Sequence, residues 1–404
     1  MFHIKPIIST LLRSKSGPLL LLAQIILSVA IVANASFIIN ERLALMSRDS
    51  GVAEDEVFDI NIYNFGAGID YGLQNSLDMQ IIRDIPGVKA ATSTSMTPLS
   101  GGGWSSTLTY GPSEESHKSA PQAAMYYGDE QMMEAMGVKL IEGRNFYPEE
   151  VQVGHPDSAT KVILSKAFAT HVFGEQSPIG QTLYAGGWGE QALEVIGVVE
   201  KLQGAWVNSS HLDNAMILNV ELGLWPFTKF LVRADAGAMT ELKPLITAAL
   251  HQENKDRVID GFRMISEHRQ RVYQSHELMA SVLSMMVILL LMITSLGLTG
   301  MVMFNIERRT KQIGTRRALG AKKRDIVSFF LVENYLIALV GGVIGGLLAV
   351  QLGQQLMSLY DLPKLALVYP VVTVAGLFVL TTIAVVFPAR KAAKISPAIA
   401  TRTV

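Results

Sequence analysis

Four long apolar runs set the terms for everything else in this chain. A bilayer hydrocarbon core of about 30 Å is crossed by about 20 helical residues rising 1.5 Å each, and runs of that length occupy residues 18–39, 279–304, 326–352 and 369–387. Only the third contains a charge, Glu333. In lipid such runs must satisfy their own backbone polar groups, which a helix does and an isolated strand cannot. The composition agrees. Of 404 residues 49% are hydrophobic and 17% charged, with a mean hydropathy of +0.31, more apolar than an ordinary soluble chain.

A formal net charge of −1 hides a sharp asymmetry. Residues 1–17 carry Lys5, Arg13 and Lys15; residues 305–325 carry eight basic side chains against Glu307 and Asp325; residues 388–404 carry Arg390, Lys391, Lys394 and Arg402. Residues 40–278 instead hold 31 acidic and 18 basic side chains. Basic loops stay in the cytoplasm, so both termini and residues 305–325 are predicted on the cytoplasmic side of the membrane. The 40–278 segment and the short loop 353–368 then lie on the outer side. The first run could be a signal peptide cut after Ala33-Asn34-Ala35, but the apolar stretch continues through Phe37-Ile38-Ile39, the length of a full span. Within residues 1–17, Phe2, Ile4, Ile7, Ile8, Leu11 and Leu12 share one face beside Lys5 and Arg13, the pattern of an amphipathic helix lying on membrane lipid.

The predicted fold class is therefore an α-helical membrane protein with four transmembrane helices and a large mixed α/β extracytoplasmic domain between the first and second. In that domain residues 57–63, 122–127, 161–164, 193–199 and 229–232 read as strands, and 77–85 and 165–173 as helices. Residues 40–48 and 266–278 read as helical stalks continuing the first and second spans. The irregular alternation points to two lobes.

The absences narrow the chemistry. No G-x-x-x-x-G-K-[ST] phosphate loop occurs, so nucleotide phosphates have no cradle and ATP hydrolysis is expected from a partner. With no cysteine and eight scattered histidines there is no thiolate or histidine cluster at metal spacing; His268 and His276 read as solvent-facing residues of one stalk. No G-x-S-x-G elbow is present. No catalytic residue and no metal ligand is assigned. The four tryptophans and eighteen methionines read as filler of core and membrane, and the acidic domain argues against nucleic-acid binding.

The most specific segment directly follows the second span: ERRTKQIGTRRALGA, residues 307–321. It resembles the basic motif of the FtsX/MacB permease family. Two further stretches resemble that family in order behind it, namely Glu333 with the glycine pairs of the third span, and PARKAAKISP at 388–397. The domain resembles the MacB periplasmic core through GVKLIEGRNF at 137–146, residues 162–180, and LEVIGVV at 193–199. MacB itself is fused to an ATPase, absent from this sequence, so the chain resembles a stand-alone form; cell-division FtsX has a far smaller outside domain.

A helix that only orients a protein needs charge alone, yet here small and apolar residues are interleaved with it. The resemblance implies an ATPase-coupling segment of Glu307, Arg308, Ile313, Gly314, Arg316, Arg317, Ala318, Leu319, Gly320 and Ala321, docked in a groove of the partner. Gly341, Gly342, Gly345 and Gly346 form two small-x-x-x-small pairs for close helix contact, within the subunit or across a dimer. Glu333, an intramembrane carboxylate, needs a partner, and Arg324 or a neighbouring arginine could snorkel to it. By resemblance the partners are an ABC-type ATPase holding ATP and magnesium, a second permease forming a homodimer or related heterodimer, and a periplasmic adaptor with an outer-membrane channel. This chain would bind no cofactor and would transmit motion for export of a periplasmic substrate. A lipoprotein-releasing permease of the Lol type and a membrane sensor without transport are the alternative readings.

Overall fold

The computed structural model describes residues 16–66, 68–111, 119–186, 188–359 and 364–394. Nearly all of the amphipathic helix read over residues 1–17 lies outside the described residues, as do 360–363 of the short loop and 395–404 of the tail. The chain divides into two compact units, one of residues 47–275 and one combining the preceding residues with 276–404.

Helix α1 spans Ser16–Met46. The first unit begins with β1 (Val57–Asn64), α2 (Tyr71–Arg83) and β2 (Val88–Thr94). It continues through β3 (Ser105–Ser106), β4 (Leu108–Thr109), β5 (Ala123–Tyr127), α3 (Met132–Met136), β6 (Leu140–Gly143), β7 (Gln152–Gly154), β8 (Lys161–Ser165), α4 (Lys166–Phe173), β9 (Thr182–Ala185), β10 (Ala192–Val199), β11 (Ala215–Leu218) and β12 (Val220–Leu222). It closes with β13 (Phe227–Ala234), α5 (Met239–Glu253) and β14 (Arg257–Met264). The first sheet runs β14-β1-β13-β2, antiparallel throughout. Its lobe is thus discontinuous in sequence, and the second sheet is an insertion between β2 and β13.

Alternation in β1 explains the first sheet. Phe58, Ile60 and Ile62 point to one face and meet Met79 and Ile82 of α2 and Leu242, Ile246 and Leu250 of α5, the period-two burial of a covered strand. Asp59 faces the other way but is also buried, accepting from Thr97 Oγ1 at 2.7 Å and lying 3.0 Å from His268 Nε2. The second sheet runs β3-β5-β11-β8-β10-β9-β4, with β6 also on β10. Its terminal strands, β3 and β4, are separated in sequence by Thr107 alone, so the sheet must curl until its ends meet. A core of Leu108, Tyr127, Val162, Leu164, Phe168, Leu193, Met216 and Leu218 fills it.

Among the described residues four helices are long and apolar enough to cross a membrane: α1, α6 (Ile265–Arg308), α8 (Lys323–Leu359) and α9 (Val368–Ala392); α7 (Thr310–Ala318) lies between α6 and α8. Each outruns the apolar stretch that marks it. At 44 residues α6 is about 66 Å long, about twice the hydrocarbon core. Three of the four form the tight part of the bundle. Leu21, Ile25 and Val29 of α1 pack on Ile337 and Ala338 of α8 and Leu377 and Ala384 of α9. Buried polar groups pin the helices at intervals, as apolar contact alone does not fix their rotation. Asn34 Nδ2 donates to the Ala349 carbonyl at 3.1 Å, and Tyr335 Oη lies 2.6 Å from Thr382 Oγ1. Only 11% of the most apolar stretch of α6 is buried in this chain, against 56% for α1.

His268 and His276 are not solvent-facing. Both are buried, His268 against Asp59 and His276 with Nδ1 3.1 Å from Arg42 Nη1. The charged sequence around them conceals this, because their partners lie more than 200 residues earlier in the chain.

Candidate functional site

The motif residues gather at the end of the bundle where α6 stops. Helix α6 ends at Arg308, the backbone turns at Arg309, and α7 begins at Thr310. Helix α7 stops because Gly320 takes a φ of +97°, open to glycine without a Cβ penalty. Around it the Ala321 N–H bonds the Arg316 carbonyl at 3.0 Å and the Gly320 N–H bonds the Arg317 carbonyl at 3.2 Å, the paired bonds of a Schellman cap. Asp325 then accepts from the Lys322 N–H at 2.8 Å and starts α8.

Three arginines and one isoleucine fasten α7 to the bundle. Arg309 forks onto Glu333 of α8, Nη1 to Oε2 at 3.0 Å and Nη2 to Oε1 at 3.1 Å, with the Glu333 side chain 2% exposed. Arg316 stacks its guanidinium 4.9 Å from the Phe329 ring centre, a cation–π contact. Arg317 Nη1 donates at 2.9 Å to the carbonyl of Ala393, just past the end of α9, where the helix dipole is negative. Ile313 enters a cluster with Val302, Ile326, Phe330 and Val385.

This anchoring divides the sequence-predicted segment. Ile313 and Gly314 are buried in the bundle and Ala321 packs at its edge. Glu307, Arg308, Arg316, Ala318, Leu319 and Gly320 are exposed, Arg316 with its guanidinium laid on Phe329; Lys311, Thr315 and Ala318, with Gln312 beside them, form the outward face of α7, the i, i+4, i+7 spacing of one helix side. Leu319 is 83% exposed. Glu333 is paired with Arg309 rather than Arg324. Arg309 lies within the motif, yet its charge looks like that of its seven basic neighbours; only its position 24 residues before a lone intramembrane carboxylate could have singled it out.

The four glycines of α8 face this chain's own helices. A Cβ on Gly341 would sit 2.6 Å from Ile25 Cγ2, and one on Gly345 would sit 2.8 Å from the Ile26 carbonyl oxygen of α1. On Gly342 it would meet Val374 of α9 at 3.1 Å, and on Gly346 Pro370 at 3.9 Å. These contacts occupy both small-residue stripes within one chain. Among the described residues no three histidine or carboxylate side chains are grouped to hold a metal ion.

Residues 19–248 match the model of the MacB-like periplasmic core domain, and residues 284–397 that of the FtsX-like permease C-terminal domain. The chain belongs to the MacB/FtsX-like permease family. The permease is 28% identical over 275 residues to the macrolide export ATP-binding/permease protein MacB of Acinetobacter baylyi, covering 65% of this chain and 40% of that protein. Its match to the MacB of Chromobacterium violaceum is 28% over 268 residues, again 65% of this chain and 40% of the relative. The permease thus spans about 40% of the length of these curated relatives. The crystal structure of the periplasmic region of MacB from Actinobacillus actinomycetemcomitans aligns over 58% of this chain and 98% of that one, at 19% identity and a TM-score of 0.33. Four membrane-length helices and a domain of this family make the permease a multi-pass inner-membrane protein.

Proposed function

We propose that this permease is the transmembrane subunit of an ABC transporter, passing ATP-driven motion from an ATPase with bound ATP and magnesium to its own periplasmic domain for export of a periplasmic substrate. The observation that carries the reading is the outward face of α7. Leu319, 83% exposed at the C-cap of α7, sits beside Ala318 and Gly320 among basic residues, and the helix is held to α8 and α9 by Arg309, Arg316 and Arg317. A large apolar side chain presented at a helix end among charges suits insertion into a groove of a partner protein. A push on this face is delivered to two spans at once.

Orientation follows from charge. With residues 1–17, 305–325 and 388–404 basic, both termini and α7 lie in the cytoplasm, where an ATPase would be met. Helix α6, the span least buried within the chain, offers its apolar face to lipid or to a second permease, identical or related. An adaptor and an outer-membrane channel complete the export route. The MacB relatives are named macrolide export ATP-binding/permease proteins, which supports the reading.

The test changes the outward face and leaves the anchors alone. Leu319→Asp and Ala318→Trp, each made in the full chain co-expressed with its ATPase, are expected to keep normal membrane abundance. Each should lower ATPase co-purification about tenfold, the effect of roughly 1.4 kcal/mol at the contact. Undiminished recovery of a transport-competent ATPase with both variants would return the segment to a charge anchor.

A further inference from the structure

The domain of residues 47–275 holds an aromatic cleft that the coupling function does not use. Trp104 and Trp188 line it, and a third tryptophan, Trp225, stands against Trp104. The rings of Trp104 and Tyr127 stand edge to face at 5.8 Å, those of Trp104 and Trp225 likewise at 5.8 Å, and those of Tyr127 and Trp188 at 6.3 Å. Trp104 and Trp225 are therefore not core or membrane filler, since neither lies in a span and they are 39% and 45% exposed, whereas Trp188 packs against the core of the second sheet. The cleft of about 680 Å³ lies where β3 closes the curled sheet, walled by Trp104, Met125, Tyr127 and Trp188 with His155 and Asp157 at its rim. That volume lies within the range of small-molecule sites.

Two features make it more than an apolar dent. The Tyr127 hydroxyl and the Trp188 Nε1–H are buried and have no hydrogen-bond partner among the described residues, although Tyr127 as a whole is 1% exposed. Buried polar groups normally find partners, and unpaired ones are costly. A ligand offering an acceptor would satisfy both. Burial first, and the negative charge of Asp157 second, push the Tyr127 hydroxyl up and keep it a neutral donor. Asp157 is exposed and makes no ion pair among the described residues, so the rim holds an unpaired carboxylate beside the Trp104 and Trp188 rings. Aromatic faces with a nearby carboxylate attract cations.

We propose that this cleft is a binding site for a small organic cation with a flat apolar body and a hydrogen-bond-accepting edge. The body lies against Trp104 and Trp188, the acceptor takes the Tyr127 and Trp188 donors, and the positive charge faces Asp157. Binding needs neither ATP nor a partner, so its failure would leave the coupling reading untouched.

The probe is 6-methoxy-N-methylquinolinium, titrated into the full-length permease in detergent, with tryptophan quenching and probe anisotropy as readouts. Saturable binding is expected, and neutral 6-methoxyquinoline should bind at least about tenfold more weakly. Asp157→Asn changes an exposed side chain and should weaken the cation about tenfold while leaving the neutral analogue unmoved. Trp104→Ala should weaken both. Trp206→Phe, outside the cleft, should change neither affinity. Absence of saturation in the unsubstituted protein would overturn the proposal, as would saturable binding that neither Asp157→Asn nor Trp104→Ala alters.

Discussion

Two glutamates, one in each unit, show how differently this chain treats a buried carboxylate. Glu333, in the membrane bundle, is 1% exposed and receives both arms of the Arg309 guanidinium. Glu221, on β12 of the other unit, is 5% exposed and accepts from the Ser76 hydroxyl at 3.1 Å, with no ion-pair partner among the described residues. Arg83, whose charge reaches Glu221, is itself paired with Asp129, with Glu130 at its edge. Burial, the largest cause, pushes the Glu221 carboxyl up to about 7, with Asp129 and Glu130 adding to it against Ser76 and Arg83. A carboxylate met by a forked cation ties two elements together, whereas one met by a hydroxyl becomes sensitive to pH.

The largest effect is expected from splitting the tied pair. Removing one member of a buried ion pair strands the other, at about 3–5 kcal/mol. Glu333→Ala or Arg309→Ala in the full chain should therefore lower the unfolding midpoint in detergent sharply and open residues 305–325 to protease. The double variant removes both charges and should recover much of that loss, which makes the coupling between the two sites measurable. Equal destabilisation by the singles and the double, with no recovery, would show that the two side chains do not act as a pair.

The untied carboxylate gives the next effect, and its sign follows from the raised value. Between the ordinary glutamate value of 4.5 and about 7 the folded domain keeps a proton that the unfolded chain has lost. The resulting stability is fully present below 4.5 and is lost as the pH rises through 7. Glu221→Gln holds the neutral shape at every pH. The variant should match the unsubstituted protein at pH 4 and exceed it at pH 8 by on the order of 3 kcal/mol, read as a higher unfolding midpoint. A midpoint difference that does not change between those pH values would refute the assignment.

Much of this was legible beforehand, and the parts that were not share a cause. Apolar run length marks the four helices, alternation marks β1, and short apolar runs mark the strands β8 and β10, which are buried on both faces, because those signals are local. Strand β14 escapes such a reading: Arg257, Asp260, Gly261 and Arg263 break its pattern, and it is held by pairing with β1 nearly 200 residues earlier. Helix α5 hides behind Pro244, its sixth residue, which forgoes an intrahelical bond and reads in sequence as a helix break. At the coupling segment the residue types were visible but not their division into an anchored side and a free side. That division depends on Phe329, Glu333 and Ala393, which no spacing within residues 307–321 reveals.

The smallest effect sharpens the same contrast between occupied and open surroundings, using glycines of two spans. Gly345 of α8 faces the backbone of α1, where an added Cβ would lie 2.8 Å from the Ile26 carbonyl oxygen and 2.9 Å from Val29 Cβ. Neither neighbour is the far end of a flexible side chain, so the helices must part. Gly300 of α6 is exposed and a Cβ there meets nothing within 4 Å. Overpacking costs about 1–3 kcal/mol at a close contact, whereas a substitution in open surroundings stays within about 0.5 kcal/mol. Gly345→Ala should therefore lower the unfolding midpoint in detergent, while Gly300→Ala should leave it nearly unchanged. The comparison separates packing from propensity, since both positions are helical and both changes favour a helix equally. If Gly300→Ala proves the more damaging in the isolated chain, the tight side of the bundle has been assigned to the wrong helix. If instead it is harmless alone but lowers recovery of a co-expressed, differently tagged copy, the open face of α6 is where a second permease sits.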